Sequence, residues 1–341
     1  MILVTGGAGF VGSHVVDALL AAGHEVRVLD RERTHLDPRA ELVRGDLRDP
    51  ATVAASLRGV DAVCHQASMV GLGKEFADVE DYVRHNDLGT AVLLKAMAAS
   101  RFRGRLVLAS SMVVYGEGRY ECVAHGQVAP PPRTADDLRD GRFEPRCPAC
   151  SSELVAQSVP ESAPLDPRNI YAATKVHQEH LCFVYARETG VAVTALRYHN
   201  VYGPRMPRDP PYAGVAALFA SALAAGESPR VFEDGRQIRD FVHVRDVARA
   251  NILALTAAVP ITGAFNVASG APRSVGEMAR ALAAASGPSA PRPVTTGEFR
   301  LGDVRHVFAS PERARSQLGF DASEDFESSM REFALAPLRE G

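Results

Sequence analysis

Cysteine is scarce in this chain, with five in 341 residues, too few over that length for a disulfide framework. A charge bias is lacking too. The net charge is -3, acidic and basic residues are interspersed, and there is no basic stripe or polybasic segment. Nucleic acid and membrane surfaces are therefore not expected partners. Long apolar runs are also missing. The longest carry interior charges such as Lys95, so no transmembrane helix is expected. The chain opens on Met1-Ile2-Leu3-Val4-Thr5, which leaves no room for a secretory leader, and the expected location is the cytoplasm. Internal repeats are absent, and the Ala-rich stretches read as helical. What is present is 46% hydrophobic content, enough for one large or two ordinary domains with real cores.

The first two hundred residues alternate short β-branched runs with helical patterns. "ILVTG" (2–6), "EVRVLD" (25–30), "AVCHQA" (62–67), "RLVLASS" (105–111) and "VAVTALRY" (191–198) read as strands, and "GSHVVDALLAAG" (12–23) as a helix ending at a glycine. This rhythm predicts an α/β fold with a parallel, doubly wound sheet. After residue 200 come Pro-rich connectors and helices near 213–226 and 274–286, read as a smaller C-terminal part over the sheet. The expected division is a nucleotide-binding domain (1–117, 159–200 and 236–268), an insert (118–158) and a smaller α/β substrate domain (201–235 and 269–341). The interval 117–158, with Pro130-Pro131-Pro132 and several glycines, lacks core-forming periodicity. A structureless loop of that length inside a compact domain is improbable, so it needs its own reason to fold.

"VTGGAGFVGSH" places Gly6, Gly9 and Gly12 between the first strand and the first helix. Gly6 allows the tight turn, Gly9 lets backbone approach a pyrophosphate, and Gly12 lets helix and strand pack closely. Phe10 and Val11 belong to the same turn. Free N–H groups at the helix start would then face phosphates, as in a Rossmann dinucleotide site. Asp30 ends the second strand, where a carboxylate can accept the adenosine-ribose hydroxyls and would repel a 2′-phosphate. NAD is thus expected over NADP, a preference weakened by Arg31 and Arg33. Asp46 and Leu47 in "RGDLRD" stand where an adenine edge would lie, although Asp46 reads equally well as a helix cap.

"NIYAATK" supplies Tyr171 and Lys175, four apart and so on one helix face. "LASSMVVYG" puts Ser110 and Ser111 at the C-terminal end of a strand, where ligands bind in open α/β sheets. Together they suit hydride transfer at an alcohol. The tyrosine exchanges the hydroxyl proton, the serine holds the reacting oxygen, and the lysine cation and a nicotinamide charge lower the phenol pKa from about 10 toward neutrality. With "HNDLGT" (85–90), "RYHNVYGPR" (197–205), "DGRQIRDFVHVRDVA" (234–248), "FNVASG" (265–270) and "RLGD" (300–303), the chain resembles the extended short-chain dehydrogenase/reductases, in the nucleotide-sugar epimerase/dehydratase branch. The resemblance implies that Gln66, Ala67, Asn86 and Ser110 line the cofactor cleft and that Tyr198 approaches the nicotinamide. It implies that Asn200, Arg239 and Arg300 bind a substrate diphosphate, and Val215 and Asp303 are also expected to bind the substrate. Two arginines suit phosphate on independent grounds. It also implies a homodimer through helices near 85–100 and 170–189.

Resembling enzymes that eliminate water carry an Asp-Glu pair directly after the catalytic hydroxyl residue, and the decarboxylases keep the Glu. Here Met112 and Val113 follow Ser111, and neither can move a proton. The chemistry left is a 4-epimerisation, with a 4-ketoreductase as the alternative; a fold that has lost its chemistry is disfavoured because all three catalytic residues are present. Ser68, Met69, Val70, His199 and Val307 would line the sugar pocket, a mostly apolar or small set that suits a 6-deoxy sugar better than a uronic acid. "RYHNVYGPRMPRDPPYAG" and the insert resemble the dTDP-L-rhamnose 4-epimerase type, with UDP-sugar substrates left open. "PPYAG" (210–214) and Phe232 are expected near the base.

Three of the five cysteines fall in the insert. Cys122-Val-Ala-His125 precedes Cys147-Pro-Ala-Cys150, a CxxH and then a CxxC. Three thiolates and an imidazole match a closed tetrahedral zinc site on two knuckles, and a metal would supply folding energy that so small a unit cannot draw from apolar burial. The competing redox pair normally caps a helix after a strand, which this Pro/Gly-rich context does not offer. Structural zinc is therefore expected, with Cys64 and Cys182 as plain core residues.

Overall fold

The computed structural model describes residues 1–71, 76–208 and 214–339. β1 (Ile2–Thr5), α1 (Phe10–Ala21), β2 (Val26–Asp30), β3 (Glu41–Arg44), α2 (Pro50–Ser56) and β4 (Ala62–His65) succeed one another. α3 (Val79–Tyr82) then runs through a π-helical stretch, Val83–Leu88, into α4 (Gly89–Ala99). After β5 (Arg105–Ser111) come β6 (Arg119–Cys122), β7 (Gly126–Val128), α5 (Ala135–Arg139) and β8 (Val155–Gln157). The chain continues with α6 (Ile170–Thr189), β9 (Ala192–Tyr198), β10 (Asn200–Tyr202), α7 (Val215–Ala224), β11 (Arg230–Val231), β12 (Ile238–Arg239) and β13 (Phe241–His243). It closes with α8 (Val244–Thr256), β14 (Gly263–Val267), β15 (Arg273–Ser274), α9 (Val275–Ala285), β16 (Val294–Thr295) and α10 (Phe326–Leu335).

Seven strands form one parallel sheet in the order β14-β9-β5-β4-β1-β2-β3. Its two faces are separate cores, as the two-residue period of a strand requires. Ile2 and Val4 pack with Val15, Leu19, Val247 and Ala250 of α1 and α8. Leu3 turns to the other face, toward Val53, Leu93, Met97 and Tyr185 of α2, α4 and α6. The free thiols of Cys64 and Cys182 are buried one in each core. From β1 the chain winds outward through β2 and β3 on one side, then crosses back to β4 and winds the other way. That reversal opens a crevice above the carboxyl ends of β1 and β4.

The C-terminal lobe closes over this crevice. α7, α9 and α10 bury Phe219, Met278, Leu282, Met330 and Phe333 together. α9 starts at a capping box in which Ser274 and Glu277 satisfy each other's backbone N–H. Among the described residues no helix is long and apolar enough to cross a membrane.

Three readings change locally. The first helix starts at Phe10 rather than Gly12, because extended Gly9 (φ -73°, ψ 178°) is its N-cap. Asp46 is not a helix cap; Asp49 takes that role for α2 and accepts from Ala51 N at 3.1 Å and Thr52 N at 3.3 Å. The interval 117–158 has regular structure, an antiparallel sheet in the order β7-β6-β8, around Tyr120, Cys122, Cys147 and Leu154. Its strands of three or four residues are too short to show an alternation in sequence.

Candidate active site

The crevice is a cleft of about 1510 Å³ between the sheet and the C-terminal lobe. One end is the glycine turn. Gly6 takes φ +69°, and a Cβ there would stand 2.6 Å from Ala67 N. A Cβ on Gly12 would strike the Gly6 carbonyl, so helix and turn can meet only without one. At Gly9 the sole near neighbour of a Cβ would be Gly6 O at 3.1 Å, and the rest of that space opens on the cleft. Among the described residues α1 has no side-chain cap, so its first N–H groups are free there toward the cleft wall that Gly9, Phe10 and Val11 form. An uncapped helix start over an open glycine fits a dinucleotide pyrophosphate.

Asp30 closes the cleft at the end of β2. Its carboxylate accepts from Ala8 N at 2.9 Å and Glu32 N at 3.2 Å, which fixes it at the rim beside Arg31. Asp46 and Leu47 line the next stretch. Asp46 is held well below the usual carboxylate range by a fork of bonds from Arg48, Nε at 2.9 Å and Nη2 at 2.6 Å. Gln66 and Ala67 continue the wall. Gln66 Nε2 donates to the Tyr198 phenol and to Asn251 Oδ1, both at 2.9 Å, which anchors Tyr198 in the cleft wall.

Asn86 is not part of that wall, a correction to the expected placement. It is fully buried, and its carboxamide is spent on a neighbouring loop. Oδ1 accepts from Met69 N at 2.7 Å and Ser68 Oγ at 3.0 Å, and Nδ2 donates to Met69 O and Thr174 Oγ1, each at 3.0 Å. Asn86 therefore clamps the Ser68–Met69–Val70 loop, which does face the cleft. Ser110 lines the cleft, but its hydroxyl is committed to Glu179, which also holds Arg197 at 2.7 Å.

Ser111, Tyr171 and Lys175 converge in the middle of the cleft. α6 brings the last two in. Asn169 caps it, accepting from Ala172 N at 2.8 Å, and Gly190 ends it at φ +74°. Ser111 stands beside the Tyr171 phenol on the cleft wall and works against the effect of burial on it. Lys175 Nζ lies 5.7 Å from the Tyr171 ring centroid and donates to Ala109 O at 2.9 Å. In the protein alone, burial pushes the phenol up, against the expected lowering by the lysine. The cation cannot offset it, because burial also takes Lys175 down to about 7.

The far end belongs to the C-terminal lobe. His199, Asn200, Val215, Phe232 and Val307 line it, and burial lowers the His199 pKa. Asn200 Oδ1 is buried with no hydrogen-bond partner among the described residues. Arg300 and Asp303 lie on the same wall, with the Arg300 guanidinium 5.3 Å from the Phe232 ring centroid. Burial raises the Asp303 pKa, and Arg300 and Arg239 counter it. Arg239 donates to the carbonyls of Ile238 and Arg305 at 2.9 Å and of Val304 at 2.7 Å. No salt bridge holds Arg239 among the described residues. In "PPYAG", residues 210–213 lie outside the described residues, and Gly214 lines the cleft. Sequence reasoning missed Arg339, which reaches the cofactor end and donates to Ala8 O at 2.7 Å. Its distance along the chain left no motif to find.

In the insert, the ligand atoms of Cys122, His125, Cys147 and Cys150 all lie within 4.8 Å of one another. Cys122 Sγ is 3.7 Å from Cys150 Sγ, and His125 Nδ1 is 3.4 Å from both Cys122 Sγ and Cys147 Sγ. Bonds to zinc of about 2.3 Å from sulfur and 2.0 Å from nitrogen give tetrahedral edges of about 3.8 Å and 3.5 Å. The donor set fits such an ion, three of its six edges stand close to those lengths with the rest within 4.8 Å, and no disulfide competes for the thiols.

Sheet order, glycine turn and the Ser–Tyr–Lys set define an enzyme of the extended short-chain dehydrogenase/reductase class. The profile of the NAD dependent epimerase/dehydratase family matches residues 2–137 and 141–268, and the chain belongs to that family. It is 31% identical over 332 residues to a dTDP-L-rhamnose 4-epimerase of Burkholderia thailandensis, covering 94% of this chain and 90% of the relative. A putative UDP-glucose 4-epimerase of Methanocaldococcus jannaschii is 33% identical over 287 residues, 82% of this chain and 80% of the relative. The Thermus thermophilus UDP-glucose 4-epimerase, solved in complex with NAD, superposes with a TM-score of 0.76 at 30% identity, covering 98% of this chain and 97% of that one.

Proposed function

We propose that this enzyme is an NAD-dependent nucleotide-sugar 4-epimerase. The observation that carries the reading is the absence of a usable carboxylate next to Ser111. Its successors, Met112 and Val113, supply none for eliminating water or for decarboxylation, and the first one further along, Glu117, is occupied by Arg305 N at 2.8 Å. The chemistry that remains needs only a hydride and one hydroxyl proton.

In this mechanism Ser111 and Tyr171 hold the C4 hydroxyl, and Tyr171 exchanges its proton. Lys175 stabilises the phenolate. NAD held in the cleft would supply the acceptor and donor for the C4 hydride. The glycine turn, Asp30 and the Asp46–Leu47 rim hold the dinucleotide. Asn200, Arg239 and Arg300 grip the diphosphate, so the keto sugar can turn over without leaving and offer the other face of C4 to the returning hydride, while Tyr171 gives the proton back to its oxygen. Phe232, Val215 and Asp303 complete the nucleotide end.

For the sugar we propose dTDP-L-rhamnose, interconverted with dTDP-6-deoxy-L-talose. The Burkholderia relative supports it, as does the apolar lining by Met69, Val70 and Val307. UDP-glucose and UDP-glucuronate are the competing substrates, and the Methanocaldococcus and Thermus relatives support the first of them. The test is incubation with dTDP-L-rhamnose, UDP-glucose and UDP-glucuronate, with no cofactor added and C4 stereochemistry monitored by NMR. Inversion at C4 without added NAD(H) is expected. A strict need for stoichiometric NADPH would make the enzyme a 4-ketoreductase instead.

The same reading divides the chain into a nucleotide-binding domain (1–117, 159–200, 236–268), an insert (118–158) and a substrate domain (201–235, 269–341). It places structural zinc on Cys122, His125, Cys147 and Cys150, checked by metal analysis of protein purified without added zinc. It also pairs two copies through the helices near 85–100 and 170–189, where Leu88 at 47% and Val184 at 41% exposure leave apolar surface uncovered. Light scattering should give twice the chain mass.

A further inference from the structure

The insert and its entry send four side chains to one stretch of the C-terminal lobe, Asp303 to His306. Glu117 Oε1 accepts from Arg305 N at 2.8 Å, and the Tyr120 phenol accepts from His306 N at 3.1 Å. Arg133 donates to Asp303 O at 2.6 Å and pairs with Glu233 at 2.9 Å. Glu144 accepts from Arg305 Nε at 3.0 Å and binds His306 Nε2 at 2.8 Å.

That stretch is also the wall of the substrate end. The carbonyls of Val304 and Arg305 aim the Arg239 guanidinium, and Asp303 and Val304 face the cleft. Arg305 fastens the two units together. Its side chain has no exposed surface and is held by Glu144 from the insert and by Glu233 and Asp234 from the lobe, the last two at 2.8 Å. A buried guanidinium keeps its place only while its carboxylates stay in theirs. Glu144 in turn sits three residues before Cys147, so the cluster at Cys147 and Cys150 fixes where it stands.

We propose that the insert is a positioning element for the substrate end of the cleft. Metal occupancy of the Cys122–His125–Cys147–Cys150 cluster sets affinity for a nucleoside diphosphate through Glu144 and Arg305 and leaves cofactor binding alone. This rests on the zinc and nucleotide-sugar reading above. The contacts of Glu117, Tyr120, Arg133 and Glu144 touch none of β1, α1 and β2, which carry the glycine turn and Asp30.

The test compares the purified holoenzyme, the same protein stripped by a chelator, the stripped protein given zinc back, and Glu144→Gln. Calorimetry with dTDP and UDP reads substrate-end affinity without turnover, so a failed epimerase assay does not obscure it. Zinc and NAD content are measured in each sample. Stripping should weaken nucleoside diphosphate binding about tenfold, the order of one charged hydrogen bond, with NAD retained and zinc reversing the loss. Glu144→Gln should weaken it similarly with zinc and NAD both retained, and on any sugar nucleotide turned over it should raise KM with kcat within about twofold. Unchanged affinity after stripping, or NAD lost in step with affinity, overturns the proposal, as does a holoenzyme that holds no zinc. If Glu144→Gln does not fold, the stripping and re-addition series decides alone.

Discussion

Tyr171 and Lys175 are both buried, and burial drives both toward neutrality, the phenol up and the ammonium down to about 7. Tyr171→Phe keeps the ring and removes only the exchangeable proton. Turnover should fall by about 10³-fold or more, with NAD content unchanged. Lys175 also leaves a mark on stability. Its folded pKa of about 7 lies below the ordinary 10.5, so between those values the unfolded chain binds the extra proton. The penalty for burying the cation is complete below about pH 7 and fades as pH rises toward 10.5, so stability should climb across that window. Lys175→Met should flatten that part of the slope in urea titrations of cofactor-free protein. At this scale the sequence shows which residues neighbour which, and little about how their polar atoms are spent. The four-residue spacing of Tyr171 and Lys175 exposes the pair. Nothing in "HNDLGT" reveals that the carboxamide of Asn86 is used up by Ser68, the backbone of Met69 and Thr174.

Elements were legible where one geometry demands one residue type. The strand, glycine turn and helix of residues 2–21 could be read in order because each glycine answers a different steric demand. These demands separate by mutation. Gly12→Ala drives a Cβ into the Gly6 carbonyl, and it should destabilise the fold by about 1–3 kcal/mol, seen as a lower urea midpoint. Gly9→Ala meets only the Gly6 carbonyl oxygen, at 3.1 Å, and otherwise places its methyl in the open cleft. It should leave the cofactor-free midpoint nearly unchanged while the purified protein loses its NAD, measured by absorbance after acid release. Equal effects from the two variants would mean that Gly9 is a packing glycine and not a cradle. The strands of the insert were illegible for the opposite reason, since runs of three or four residues carry too few alternations to register.

At the scale of the whole molecule, alternation of strand and helix implied the sheet, and the ligand spacing implied that the insert had a clamp. The surface on which the insert rests could not be read. Arg305 joins Glu144 to Glu233 and Asp234 across long stretches of chain, and no local pattern marks it. The energetics of the insert are nonetheless simple to state. Its buried cluster is Tyr120, Cys122, Cys147 and Leu154, and two of those four are proposed metal ligands. A unit of about forty residues with so little apolar burial draws little stability from its own core, and the proposed metal would staple it. The two cores on the sheet faces draw on none of these residues. Chelation should therefore act locally. Amide exchange in residues 118–158 should rise toward unprotected rates after zinc removal, while β1, β4 and β5 keep their protection and the protein keeps its NAD. Protection persisting throughout the insert would mean that Arg305 and its carboxylates, and not a metal, hold it in place.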